Sequence, residues 1–116
     1  MKKILLTALL TSASFVHAFD MLSVMEKSCF DYGQPAGCYN LANKYYQGKG
    51  VEQDYSKAAE LYKQACDGSF FKGCMILGAL YTEGKGVEQD YSKAAELFIK
   101  ACDGGETAAC DFLNKE

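Results

Sequence analysis

Residues 48–61 read GKGVEQDYSKAAEL, and residues 84–97 read GKGVEQDYSKAAEL again, 36 positions further on. A verbatim block at a fixed offset constrains the fold more than any single motif. A unit recurring at this period is a supersecondary element that cannot bury its apolar face alone, and stacking on its neighbours builds a solenoid. The register extends beyond the block. Ala65-Cys66-Asp67-Gly68 returns as Ala101-Cys102-Asp103-Gly104. Cys38, Leu41 and Tyr45 return as Cys74, Leu77 and Tyr81, and Cys74 and Leu77 return as Cys110 and Leu113.

Each unit divides into two helical patterns. In helix A, Cys38, Leu41, Ala42 and Tyr45 fall at i, i+3, i+4 and i+7, and Cys74, Leu77, Gly78 and Tyr81 repeat the spacing. That spacing makes one apolar stripe. In helix B, Tyr55, Ala58, Ala59, Tyr62 and Cys66 do the same, which assigns Tyr55, Tyr62 and, by repetition, Tyr91 to the core. Asp54 and Asp90 stand where an N-cap accepts backbone N–H groups. Gly68 and Gly104 stand where a helix closes on a left-handed residue. Gly48-Lys49-Gly50 and Gly84-Lys85-Gly86 open the A-to-B loop, where glycine permits positive φ. The loop is short, so A and B pack antiparallel, and the small Ala42, Gly78, Ala58 and Ala94 allow close approach.

The pattern predicts helices at 20–30, 36–47, 55–67, 71–83, 91–103 and 106–115. The expected fold is all-α: a short right-handed solenoid of antiparallel helix pairs stapled by disulfides. Its parts are a capping helix at 20–30, repeat one at 36–67, repeat two at 71–103 and a terminal half repeat at 106–116, forming one domain over 19–116. Both end units are incomplete, and each leaves one face partly bare.

Met1 to Ala18 reads as a secretory signal peptide: Lys2 and Lys3, then an apolar run from Ile4 to Val16, then Val16-His17-Ala18 as a cleavage site. The run is short for a bilayer span and no basic stop-transfer cluster follows it. The expected address is the periplasm or beyond, with no membrane span once the signal is removed. Removal also takes away His17, the only histidine, and with it His-based catalysis and His metal ligation. The 116-residue chain carries a formal net charge of −3, and all 12 of its basic residues are lysine. An acidic chain without arginine lacks the forks and positive field that hold nucleic acid, so no nucleic-acid partner is expected. No cofactor or metal is expected either, and the chain is taken as a monomer.

Six cysteines, at 29, 38, 66, 74, 102 and 110, allow fifteen pairings. Equivalent units should bond equivalently. Linking the end of each helix B to the start of the next A gives Cys29–Cys38, Cys66–Cys74 and Cys102–Cys110, and uses all six. Linking A to B within a unit gives Cys38–Cys66 and Cys74–Cys102, and orphans Cys29 and Cys110. The first scheme is favoured. Its first loop is one residue longer, an excess the Gly33-Gln34-Pro35 turn can absorb. Each bridge is worth about 2.5 kcal/mol on a chain-entropy estimate. Zinc is the rival, but CxxC spacing and a retained histidine are both missing, and the secretory route is oxidising.

The unit's AxxLYxxAC…GxxxC layout resembles the Sel-one-like repeats, relatives of the tetratricopeptide repeat. Ala58, Ala59, Leu61, Ala65, Cys66, Gly73, Cys74, Leu77, Gly78, Tyr81, Gly84 and Gly86 carry the match. With paired cysteines behind a signal peptide, the chain is similar to the Helicobacter cysteine-rich protein family. That resemblance implies weak β-lactam binding and slow hydrolysis, with a β-lactam or peptidoglycan-like small molecule as ligand. Sel-one-like arrays in general imply a different activity: binding proteins or peptides on a concave surface.

The residues offer little hydrolytic machinery. Ser69-Phe70-Phe71-Lys72 matches the S-x-x-K pattern in which a lysine one turn away deprotonates a serine nucleophile. Chance supplies one such match in a lysine-rich chain, the companion S-D-N and K-T-G elements are missing, and Ser69 suits a helix cap. No catalytic residue is assigned. A binding scaffold fits better. The A-to-B loop and most of helix B repeat verbatim, whereas Tyr39, Asn40, Asn43, Lys44 and Tyr46 become Met75, Ile76, Ala79, Leu80 and Thr82. In stacked helix pairs the A helices line the concave side, so Asn40, Asn43, Lys44, Tyr46, Ala79 and Thr82 are the candidate ligand-contacting residues. Drift on an exposed face is the alternative.

Overall fold

The computed structural model describes residues 22–115. The expected signal segment at 1–18 and the first residues of the expected capping helix lie outside them. Six helices follow one another. We name them α1 (22–31, whose last turn, Lys27–Asp31, is π-helical), α2 (Pro35–Gln47), α3 (Tyr55–Asp67), α4 (Phe71–Glu83), α5 (Tyr91–Asp103) and α6 (Thr107–Leu113). There is no strand among the described residues. Each helix packs on its neighbours in the chain, so the pairs α2–α3 and α4–α5 stack through α3 and α4.

Local chemistry sets the helix ends. Asp54 and Asp90 each accept the backbone N–H three residues on, from Lys57 and Lys93, at 3.0 Å. Pro35 opens α2, where a missing N–H costs nothing. Gly48 and Gly84 close α2 and α4 in the left-handed region, with φ of 70° and 69°. Gly68 and Gly104 differ from expectation, with φ of −86° and −82°. The left-handed residues are the next ones, Ser69 at 68° and Gly105 at 103°. Glycine at 68 and 104 answers to space instead: a Cβ there would strike the Pro35 ring and the Phe71 ring.

The core runs the length of the stack in two joined clusters. The first holds Leu41 and Ala42 of α2, Ala58, Ala59, Leu61, Tyr62 and Ala65 of α3, and Leu77 and Leu80 of α4. The second holds Cys66, Cys74, Ala94, Phe98, Ala101 and Ala109. Tyr62 is buried as expected and Tyr55 is half-buried, but Tyr91 is 66% exposed. No described residue covers its α5 stripe as α4 and the loop after it cover Tyr55.

The cysteines bond as Cys29–Cys38, Cys66–Cys74 and Cys102–Cys110, with Cα–Cα distances of 4.5, 4.6 and 4.7 Å. The longer first spacing is not absorbed by the turn. All three turns between a B helix and the next A have the same length, and the extra residue sits inside α1 as the π-helical turn, closed by Tyr32 N–H donating to Lys27 O at 3.0 Å. An inserted residue in a helix is accommodated by such a turn, so the cysteines keep the same approach as their equivalents.

The four cysteines of the first two bridges are at most 3% exposed, whereas Cys102 and Cys110 are half-buried. Limited reduction followed by alkylation and mass mapping should therefore label Cys102 and Cys110 first. Replacing Cys66 and Cys74 together by Ala should cost about 2–4 kcal/mol in a urea titration.

Candidate functional site

Comparing positions 36 apart shows where the varied A helices differ in consequence. In repeat one, the Tyr46 ring packs edge-on against Tyr55 at 5.2 Å. Gln53 Nε2 donates to Tyr46 O at 2.9 Å and to the Tyr55 hydroxyl at 3.3 Å. Lys85 Nζ lies 5.5 Å from the centre of the Tyr55 ring, and a Cβ on Gly86 would strike the Tyr55 carbonyl. Tyr46 and Glu83 hold the Lys85 ammonium above its ordinary range. The end of α4 and its loop thus close over the start of α3.

Repeat two keeps the scaffold and loses the cover. Gln89 Nε2 donates to Thr82 O and to the Tyr91 hydroxyl, both at 2.9 Å, as its twin does. Thr82 stands in place of Tyr46, however, and turns its hydroxyl back onto Gly78 O at 3.0 Å. Helix α6 ends at Leu113, the position of Leu77, so no described residue occupies the place that Leu80 and the 84–87 loop fill on α3. The result is an open recess of about 370 Å³ lined by Thr82, Tyr91, Ala94, Ala95, Phe98, Phe112 and Leu113. A smaller hollow of about 120 Å³ adjoins it, where Ala79 and Glu83 meet Phe98 and Phe112. Phe98 on the floor stacks against Phe112 at the rim, ring centres 4.4 Å apart, and Gly78 leaves room for Phe98 where a methyl would stand 3.3 Å from its ring. The two polar side chains of the larger recess are hydrogen-bonded within the chain, and its lining is mostly aliphatic and aromatic.

The six candidate contact residues do not gather in one place. Thr82 lines both hollows and Ala79 the smaller one. Tyr46 packs on Tyr55. Asn43 accepts a hydrogen bond from the buried Tyr62 hydroxyl through its Oδ1. Asn40 is exposed and Lys44 half-buried on α2. Their equivalents, Ile76 and Leu80, pack against the first core cluster. The change from Lys44 to Leu80 therefore follows from position in the stack. The change from Asn43 to Ala79 follows from another exchange: Phe98 replaces Tyr62 and has no hydroxyl to satisfy. The recess residues missed at the sequence level were Tyr91, Ala94, Ala95, Phe98, Phe112 and Leu113. The signal for them was the incomplete last unit.

Ser69 and Lys72 form no site. Ser69 is exposed, its N–H donates to Cys66 O at 2.9 Å, and Lys72 is exposed without a hydrogen bond to it among the described residues. No group of His, Cys, Asp and Glu among the described residues is placed to hold a metal ion. No described helix is long and apolar enough to cross a membrane.

Stacked antiparallel helix pairs with an apolar recess at one end define an α-solenoid repeat protein. The Sel1 repeat model matches residues 35–70 and 72–106, and the chain belongs to the Sel1 repeat family. Helicobacter pylori cysteine rich protein B superimposes with a TM-score of 0.77 at 35% identity, over 80% of this chain and 69% of that one. A protective antigen of uropathogenic Escherichia coli with an SLR fold gives a TM-score of 0.75 at 29% identity, over 79% of this chain and 20% of that one. A Sel1 repeat protein from Oxalobacter formigenes gives 0.73 at 26% identity, over 79% and 37%. No curated protein matches the chain by sequence comparison.

The Tyr62–Asn43 pair provides a test of the packing account. Tyr62→Phe should cost about 1–2 kcal/mol by stranding the Asn43 acceptor. Adding Asn43→Ala should recover part of that loss in a double-mutant cycle, because it recreates the Phe98–Ala79 combination. Burial, with the phenols of Tyr39 and Tyr46 beside it, pushes the Tyr62 hydroxyl well above its ordinary 10.0. The folded state then keeps a proton that the unfolded chain releases. This contribution is complete below the unfolded value and should fall as pH rises above it, by up to about 1.4 kcal/mol per pH unit. Tyr62→Phe should remove that alkaline slope in pH-dependent urea titrations.

Proposed function

We propose that the protein is a non-catalytic scaffold that binds a protein or peptide outside the cytoplasm, and that its partner enters the recess between α4, α5 and α6. One observation carries this proposal: an apolar recess opens where a verbatim helix B scaffold meets an A helix narrowed to Ala79 and Thr82. Its volume is at the lower end of the range for ligand pockets, about 300–1,000 Å³, and it suits side chains better than a polar small molecule. Three disulfides and likeness to a Helicobacter cysteine-rich protein support a place in an oxidising compartment. Segment 1–18, acting as a signal peptide, would supply the route. Candidates Asn40 and Lys44 are secondary here, since they stand at the other end of the stack. The β-lactam hydrolysis implied by family resemblance has no supporting observation in the placement of Ser69 and Lys72.

Filling the recess with Ala79→Trp or Thr82→Trp should reduce capture of an envelope partner at least about tenfold, with the thermal midpoint preserved. Asn40→Ala with Lys44→Ala should leave capture intact. Equal capture by the filled variants would remove the recess from the account. A chromogenic cephalosporin should be turned over no faster by the oxidised protein than by the reduced protein or by buffer.

A further inference from the structure

The face around the recess is the twin of a surface whose occupant is visible. Residues 91–97 repeat residues 55–61. On α3, Ala59 is 3% exposed, in one cluster with the 1% exposed Leu80 of α4. Val87 packs against the same cluster, Lys85 lies over the Tyr55 ring, and Gly86 meets the Tyr55 backbone. On α5 the same stripe lies open: Ala95 is exposed and Tyr91 is 66% exposed.

The open end presents apolar side chains. Tyr62 becomes Phe98, and Phe112 stands 51% exposed at the rim. A terminal repeat that faces only water needs a polar outer face. Here Tyr91, Ala95 and Phe112 are exposed instead.

We infer that this end face seats the C-terminal end of a partner's amphipathic helix, which presents a leucine-sized aliphatic side chain and, five residues on, a lysine in a Gly-Lys-Gly turn. The inference rests on the binding function proposed above and names the partner's chemistry. The aliphatic group enters the recess as Leu80 enters the first cluster, the ammonium lies over the Tyr91 ring as Lys85 lies over Tyr55, and glycine permits close approach to the start of α5. The interface continues the α3–α4 interface by one unit. A second copy of this chain is the poorer fit. Its unmatched turn, Gly48-Lys49-Gly50, follows Lys44 where a leucine is wanted, and α2 runs unbroken back to Pro35, through the space that α6 fills.

The direct test titrates a labelled peptide of residues 79–88 with the oxidised full chain and reads anisotropy. Saturable binding is expected. Leu80→Ala or Lys85→Glu in the peptide, or Ala95→Arg in the chain, should weaken it about tenfold or more. A tethered version removes the penalty of weak association. A copy of residues 80–88 fused after Lys115 should raise the thermal midpoint and shield Tyr91 from iodination, and a scrambled copy should do neither. The inference is overturned if the peptide fails to bind and the fused copy behaves like the scrambled one. Binding that survives Ala95→Arg would also overturn it, as would dimerisation of the chain through this face, abolished by Ala95→Arg. If envelope capture still depends on Ala79 and Thr82 when the peptide and fusion fail, the scaffold function stands and only the named occupant falls. If capture is insensitive to the filled recess as well, both fall.

Discussion

The structure depends on the covalent clamp at each turn between helix pairs. A B helix ends, three residues turn, and the next A helix carries in its first turn a cysteine bonded back across the gap. Each clamp fixes the angle at which one pair meets the next, so the stack's geometry does not rest on side-chain packing alone. A chain of this size buries a modest share of its surface, and its largest fully buried side chains are one tyrosine, three leucines and two cysteines, with alanine the commonest residue at the other buried positions. The π-helical turn in α1 shows how firmly the clamp is specified. An added residue distorts the helix, while the turn keeps its length and the bonded cysteines their separation.

A solenoid with identical units has identical surfaces in its middle and different ones only at its ends. Here the middle surface is already used. The stripe on α3 is covered by α4, and that contact consumes the residues that a sequence comparison would mark as variable. Among the described residues the corresponding stripe on α5 remains open, beside the stacked rings of Phe98 and Phe112. The α5 stripe has the interface chemistry of the α3 stripe, and no described residue stands where α4 and the 84–87 loop cover α3.

Much of this was legible in the residues. The 36-residue period, the capping aspartates, the helix ranges of the four central elements and the pairing that uses all six cysteines all follow from spacing. Three details did not. Gly68 and Gly104 looked like left-handed caps, but the ring atoms of Pro35 and Phe71 are what require glycine there, and those contacts come from the start of the A helix in the same pair, 33 residues away in the chain. Tyr91 looked like core because Tyr55 and Tyr62 share its pattern, yet a repeat pattern carries no information about which copy comes last in the stack. The variation from Asn43 to Ala79 looked like ligand reading, and is matched by loss of the hydroxyl at Phe98.

The sequence by itself determined the unit, its period, its two helices and its covalent staples, because these depend on local spacing and on residue types that act within one turn of chain. The tertiary structure alone decided which copies of an identical face are buried and which is open. Burial is a property of the neighbour and not of the residue: GKGVEQDYSKAAEL is written twice, and among the described residues only its first copy has a full A helix stacked against it.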